Sequence, residues 1–211
     1  MNAPFAGWLP VYAAPAEGDA LAALGAKRLG VGKVAAATST CVLLEQRRPA
    51  GVLLFGVCGA FPARHRAGSP LRIGDVVLVG SDTFGDEGTQ TEHEFLDLQA
   101  LGLPALGPFA ADGAALAAAL CVLAVPQVAG VTVSTCSGTE ATSERMARRS
   151  GADVETMEGA AAAYVCRQLE LPMLHVRAIS NWTGDRTRGD WNRGAALEAL
   201  HRAVNKLFAR S

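Results

Sequence analysis

DVETMEGAAAAYVCRQLELPMLHVRAIS, residues 153–180, contains one complete change of pattern. After the acidic VETMEG comes an alanine-rich stretch that predicts a helix over 158–169. Past Pro172 a short apolar run of strand length follows, over 173–180. The same alternation extends outward in both directions. Runs rich in Val, Leu and Ile predict further strands over 9–14, 52–57, 73–79 and 128–135, and further helices are predicted over 33–46, 114–123, 140–149 and 192–208. Strands separated by helices of this kind make an α/β fold, a sheet with helices packed on its faces. Pro10 removes a ladder donor from the first strand, which suits an edge position.

The 211 residues, half of them hydrophobic, are enough for one domain with a sizeable core that needs neither disulfide nor metal. A formal net charge of -1 and the lack of any long Lys/Arg run argue against a nucleic-acid partner and favour a small molecule. The five cysteines (Cys41, Cys58, Cys121, Cys136 and Cys166) stand singly in apolar surroundings, as buried thiols of a reducing compartment do. The opening MNAPFAGWLP lacks the basic end and apolar run of a signal peptide. No later stretch offers about 18 uninterrupted apolar residues, so a cytoplasmic protein without a membrane partner is expected.

Chemistry concentrates where strands end, the place at which α/β folds put ligands. Glu17 follows the first strand, VETMEG enters a helix, and RAISN ends the last strand. Glu155 and Glu158 can complement the helix dipole, or one of them can grip vicinal sugar hydroxyls, since a carboxylate accepts two hydrogen bonds at once. Ser180 and Asn181 place an amide that donates and accepts towards a heterocycle, with Trp182 close by for packing. GVGK near Gly30 lacks the spacing and the Ser/Thr of a P-loop. The acidic stretch with Asp86, Glu87, Glu92, His93, Glu94 and Asp97 has one histidine and no HExxH spacing, so it predicts a solvated loop able to cover a substrate, and no metal is expected.

Five segments in this order, LGVGKVAAA, FGVCGAF, IGDVVLV, VETMEGAAAAYVC and VRAISN, resemble the nucleoside phosphorylase and nucleosidase superfamily. Within it, RAISNWTGDRTRGDW and DEGTQTEHEFLDLQALGLP look like the futalosine hydrolase family of the menaquinone pathway, whose pattern Asn181, Arg186 and Trp191 fit. The resemblance covers nearly the whole chain. It implies a single three-layer domain with a central mixed β-sheet flanked by helices, an N-ribosyl hydrolase without metal or organic cofactor, and a homo-oligomer. It makes Glu17 the general base or water-positioning group, Glu158 the ribose-hydroxyl ligand and Asn181 the base ligand. Around them it places Met157, Glu155, Cys136, Gly59, Arg186 and Trp191 as substrate-binding residues.

The remaining expectations follow from that resemblance. The turn Gly56-Val57-Cys58-Gly59 carries no hydroxyl for phosphate, so water is the expected attacking group. The segment between Leu24 and Leu29 is shorter than the superfamily pattern, so no strand pair is expected there from which a phosphate-binding arginine could project. PARHRAGSP is longer than that pattern, and Arg64, His65 and Arg66 are assigned to a solvated loop. An arginine of 186–188 is expected to take the carboxylate of the substrate's tail. A methylthioadenosine-type nucleosidase, a purine nucleoside phosphorylase and a catalytically silent nucleoside-binding protein remain open.

Overall fold

The computed structural model describes residues 4–65, 71–185 and 192–209; side chains 64 and 65 are not included. The element order is β1 (Trp8–Tyr12), α1 (Pro15–Gly18), a 3-10 turn (Asp19–Leu24), β2 (Lys27–Arg28), α2 (Lys33–Arg47), β3 (Gly51–Ala60) and α3 (Pro62–His65). There follow β4 (Val76–Phe84), β5 (Gly88–Gln90), β6 (Phe95–Asp97), β7 (Phe109–Ala110), α4 (Gly113–Leu123) and β8 (Gln127–Thr132). The chain ends with α5 (Glu140–Ser150), β9 (Val154–Thr156), α6 (Gly159–Gln168), β10 (Met173–Trp182) and α7 (Arg193–Phe208).

The centre of the mixed sheet is β3, whose second half carries the site. β10 runs parallel to it along one edge. The other edge is shared: β1 pairs with Gly51 to Leu54, and β9 pairs with Gly59 and Ala60. Beyond β10 lies β4, antiparallel, then β8 and β9, so the path from β3 through β10, β4, β8 and β9 returns to β3. Cys58, Ala60, Val77, Val79, Val128, Val154 and Ile179 pack together within this closed part.

Alternation along the strands fills two further layers. Leu53, Phe55, Leu174 and Val176 pack with Leu200, Val204 and Leu207 of α7 and Ala115 and Ala119 of α4. Val52, Leu54 and Met173 turn to the opposite face, against Ala36 and Leu44 of α2 and Ala161, Ala162 and Cys166 of α6. The alanines of α6 let its backbone lie close to the sheet. Among the described residues no helix is long and apolar enough to cross a membrane.

The structure departs from the sequence reading at several places. A strand pair does precede the LGVG turn, since β2 pairs with β1 through Val11↔Lys27 and Tyr12↔Arg28. Pro10 precedes the first β2 pairing by one residue, and β1 forms around it. FGVCG is not a turn but the continuing strand β3. The fourth strand starts at Val76, because a turn at Gly74 (φ +96°) precedes it, and it runs on to Phe84 through an irregularity at Val79/Ser81 in its pairing with β8, while its other edge passes from β10 to β7. Val154–Thr156, expected to lead into a helix, is strand β9. Of the cysteines, Cys58 and Cys166 are buried, whereas Cys41, Cys121 and Cys136 are exposed. Asp86 and Glu87 clamp Lys33 at 2.7 and 2.6 Å instead of lying free in solvent.

Candidate active site

Three chain junctions converge on a cavity of about 250 Å³ beside the second half of β3. Glu17, Gly59, Cys136, Glu155, Met157, Glu158 and Asn181 all line it. Arg186 and Trp191 lie outside the described residues, as do Arg66 and Arg188, and the side chains of Arg64 and His65 lie outside them too.

Glu17 is the third residue of α1's first turn, and its carboxylate accepts from Ala13 N–H (3.1 Å), Ala14 N–H (2.8 Å) and Val57 N–H (2.9 Å). It therefore caps its own short helix and also reaches across to β3. A carboxylate has about four lone-pair sites, so three donors leave one for a further hydrogen bond. His201 of α7 holds the Glu17 carbonyl at 2.8 Å.

Glu158 precedes α6 but does not cap it with its side chain. Its Oε1 accepts from Gly32 N–H at 3.1 Å, and its Oε2 lies 3.5 Å from Arg177 Nη2. Gly30 and Gly32, at φ +94° and +91°, give the turn that aims this amide at Glu158. Burial raises the Glu158 carboxyl above the ordinary carboxylate range, with the Arg177 charge and the Gly32 donor opposing the rise.

Glu155 lines the cavity wall but has both oxygens on Ser137, from N–H at 2.8 Å and Oγ at 2.6 Å. Burial raises it too, against those Ser137 bonds. It ties the loop after β8 to β9, and what it leaves for a ligand is smaller than the sequence implies.

The Asn181 amide has a set orientation. Ser180 Oγ donates to its Oδ1 at 2.8 Å, and its Nδ2 donates to the Trp182 carbonyl at 2.9 Å, which leaves the second N–H for a ligand. The two glycines of FGVCG make room for these groups. A Cβ at Gly56 would fall 2.7 Å from Glu17 Oε1 and collide with Arg177 Nη1, and one at Gly59 would fall 2.8 Å from Thr183 Cγ2 and 3.3 Å from Asn181 Nδ2.

Sequence reasoning passed over Arg177 and His175. Arg177 is the largest fully buried side chain described, and its Nε donates to His175 Nε2. Burial, and then the Arg177 charge, push His175 down to about 4. A cation and an imidazole two residues apart in an apolar strand share one face, which was a legible signal. Arg193, at the start of α7, also lines the cavity unannounced. Arg28, on the strand pair that was not expected, is exposed and absent from the cavity lining.

The phosphorylase superfamily model matches residues 22–210, and the chain belongs to that family. It is 34% identical over 188 residues to the futalosine hydrolase of Thermus thermophilus, covering 85% of this chain and 79% of that one. It is 34% identical to the Streptomyces coelicolor futalosine hydrolase, covering 84% and 75%. A 5'-methylthioadenosine/S-adenosylhomocysteine nucleosidase of Bacillus cereus is 31% identical, with 82% and 74% covered. In fold the chain is similar to a futalosine hydrolase mutant of Helicobacter pylori (TM-score 0.79, 16% identity, 95% and 97% covered). It is equally similar to the Colwellia psychrerythraea methylthioadenosine/S-adenosylhomocysteine nucleosidase in complex with adenine (TM-score 0.79, 21% identity, 95% and 93% covered).

Proposed function

We propose that this cavity hydrolyses the N-ribosidic bond of futalosine, releasing hypoxanthine and leaving dehypoxanthine futalosine, as a cytoplasmic step towards menaquinone. The protein is an N-glycosyl hydrolase, the class to which its relatives at 31–34% identity belong. Which nucleoside it takes is the finer question, and the observation that carries our reading is the Asn181 amide, anchored on Trp182, in the same cavity as the Glu17 and Glu158 carboxylates.

Cleaving this bond builds positive charge on the ribose and negative charge on the departing base, so the enzyme must meet both. The two carboxylates supply negative charge on the sugar side. Glu17, with one lone-pair site left, orients the attacking water and takes its proton. Glu158 accepts from the ribose hydroxyls, and Arg177 offsets its charge. The free N–H of Asn181 donates to N7 or O6 of a 6-oxopurine and stabilises its departure. Gly59 admits the base close to β3, and Met157 packs against the sugar.

Water is the attacking group on this reading: Val57 gives phosphate no hydroxyl, and Arg28 does not reach the cavity lining. Oligomerisation belongs to the same proposal. Val31, Val34 and Val42 are exposed at and beside α2, and Val31 also lines the cavity, so a second copy packed there would border the site. The 31% identity to methylthioadenosine/S-adenosylhomocysteine nucleosidases favours an adenine nucleoside as the second reading.

The test is to incubate the protein with futalosine, aminodeoxyfutalosine, inosine and methylthioadenosine, with and without phosphate, and identify the products. Hypoxanthine released fastest from futalosine at a rate independent of phosphate is the expected result. Adenine released fastest would support the second reading, and ribose 1-phosphate formation would overturn hydrolysis.

A further inference from the structure

Outside the cavity, a buried polar chain leads from β4 to Glu158. Asp82 and His175 are each 4% exposed. Thr132 Oγ1 donates to Asp82 Oδ1 at 3.0 Å while accepting from Ala160 N–H at 2.8 Å. The other carboxylate oxygen, Oδ2, faces His175 Nδ1 at 3.4 Å, and neither atom has a hydrogen bond elsewhere. On the far side of the ring Nε2 accepts from Arg177 Nε, so the proton of the neutral imidazole sits on Nδ1, towards the carboxylate. The guanidinium spends its two remaining nitrogens on the Val57 carbonyl (3.3 Å) and on Glu158 (3.5 Å).

We infer that Asp82 and His175 are a positioning relay that holds Arg177, and through it Glu158, in the orientation the cavity uses. The Asp82 charge polarises the ring and makes Nε2 a stronger acceptor for Arg177. Apolar residues would fill the same space at lower desolvation cost, so the polar chain needs a purpose beyond packing. The space is specific as well: a Cβ at Gly159 would fall 2.5 Å from His175 Cε1 and collide with Asp82 Oδ2. The charged groups around the ring are Asp82 from β4, Arg177 from β10 and, beyond the guanidinium, Glu158 at the head of α6 and Glu17 from α1. Protonating the ring would remove the acceptor that Arg177 uses, and burial holds that event at about pH 4.

The relay rests on the nucleoside-hydrolase reading only for its kinetic readout. Two-bond proton–nitrogen NMR of the full chain, assigned by comparison with His175→Gln, is expected to show His175 neutral from pH 5 to 8 with Nδ1 protonated. A ring protonated on Nε2, or one titrating near 6.5, would overturn the relay whatever the substrate. In kinetics, His175→Leu, which neither donates nor accepts, is expected to lower kcat/KM about 10- to 100-fold, the scale of a small misplacement. His175→Gln, whose amide can do both, is expected to restore most of it. Equal rates for Leu and Gln would also overturn the proposal. If His175→Leu does not fold, the native spectrum and the Gln variant still decide it. If the native protein cleaves no nucleoside, the functional reading falls and the NMR result stands alone.

Discussion

On the proposed function, Asn181 is the residue that distinguishes a 6-oxopurine from a 6-aminopurine. One Nδ2 hydrogen is taken by Trp182, and Oδ1 faces the Ser180 hydroxyl, which also reaches the Cys58 carbonyl, so the amide offers a ligand its second N–H together with a lone pair of Oδ1. A 6-oxo group matches that donor, whereas a 6-amino group opposes it with hydrogens. An unmade hydrogen bond in a dry site costs about 1–3 kcal/mol, roughly 5- to 150-fold in rate. Futalosine is therefore expected to exceed its 6-amino analogue in kcat/KM by that order, and Asn181→Asp to narrow or reverse the ratio with a new pH dependence; measuring both nucleosides with both proteins checks it. On the proposed function, Arg193 of the cavity lining and Arg186 of the sequence pattern are the candidates for the substrate's anionic tail. Replacing either by Ala is expected to weaken futalosine turnover more than inosine turnover, because only futalosine carries the anionic tail; equal losses would indicate a structural role.

At the scale of elements, the head of α6 depends on β8, a strand that does not line the cavity. Thr132 at the end of β8 accepts from the N–H of Ala160, the second residue of α6, donates to Asp82 and lies 3.2 Å from Thr156 Oγ1. Thr132→Val keeps the shape and removes the hydroxyl, leaving buried partners without it. Each orphaned group costs about 1–3 kcal/mol, and a loss of that order in urea-unfolding free energy is expected, together with reduced turnover because Glu158 sits one residue before the helix. The hairpin of β5 and β6 is held differently, with Arg149 of α5 3.9 Å over the Phe95 ring and donating to the Gly85 carbonyl. The loop read as solvated is thus gripped at its base, while Glu92, His93 and Glu94 at its tip are exposed.

For the molecule as a whole, the buried titratable groups give stability a defined pH dependence. His175 titrates near 4 when folded against an ordinary value of 6.5, so between these limits the unfolded chain binds more protons. Its contribution is fully present above pH 6.5 and is lost as pH falls towards 4, a gap worth up to about 3 kcal/mol. Glu155 and Glu158, raised by burial, act in the opposite sense, since the folded protein takes up their protons first and gains stability as they bind. Unfolding free energy measured from pH 4 to 7 for the native protein and His175→Gln separates the two. Between pH 4 and 6.5 the native stability is expected to rise with pH relative to that of His175→Gln, and parallel curves would show that folding does not lower the His175 pKa.

The local order of the chain was legible from one dimension. Five strands and five helices follow from the change between apolar runs and alanine-rich stretches, because period and composition are carried by neighbouring residues. Glu17, Glu158 and Asn181 were visible as polar residues at strand and helix ends, but it was the resemblance to a known family that gave each a role. What only the tertiary structure decided depends on partners far apart in sequence. Val154–Thr156 is strand because Gly59, Ala60 and β8 offer it edges, and no three-residue run announces that. The closure of the sheet, the turning of Glu155 onto Ser137 and the path from Asp82 through His175 and Arg177 to Glu158 are decided in the same way. A hydrogen bond needs its two atoms in one place, and only the folded chain brings residues 82, 158 and 175 together.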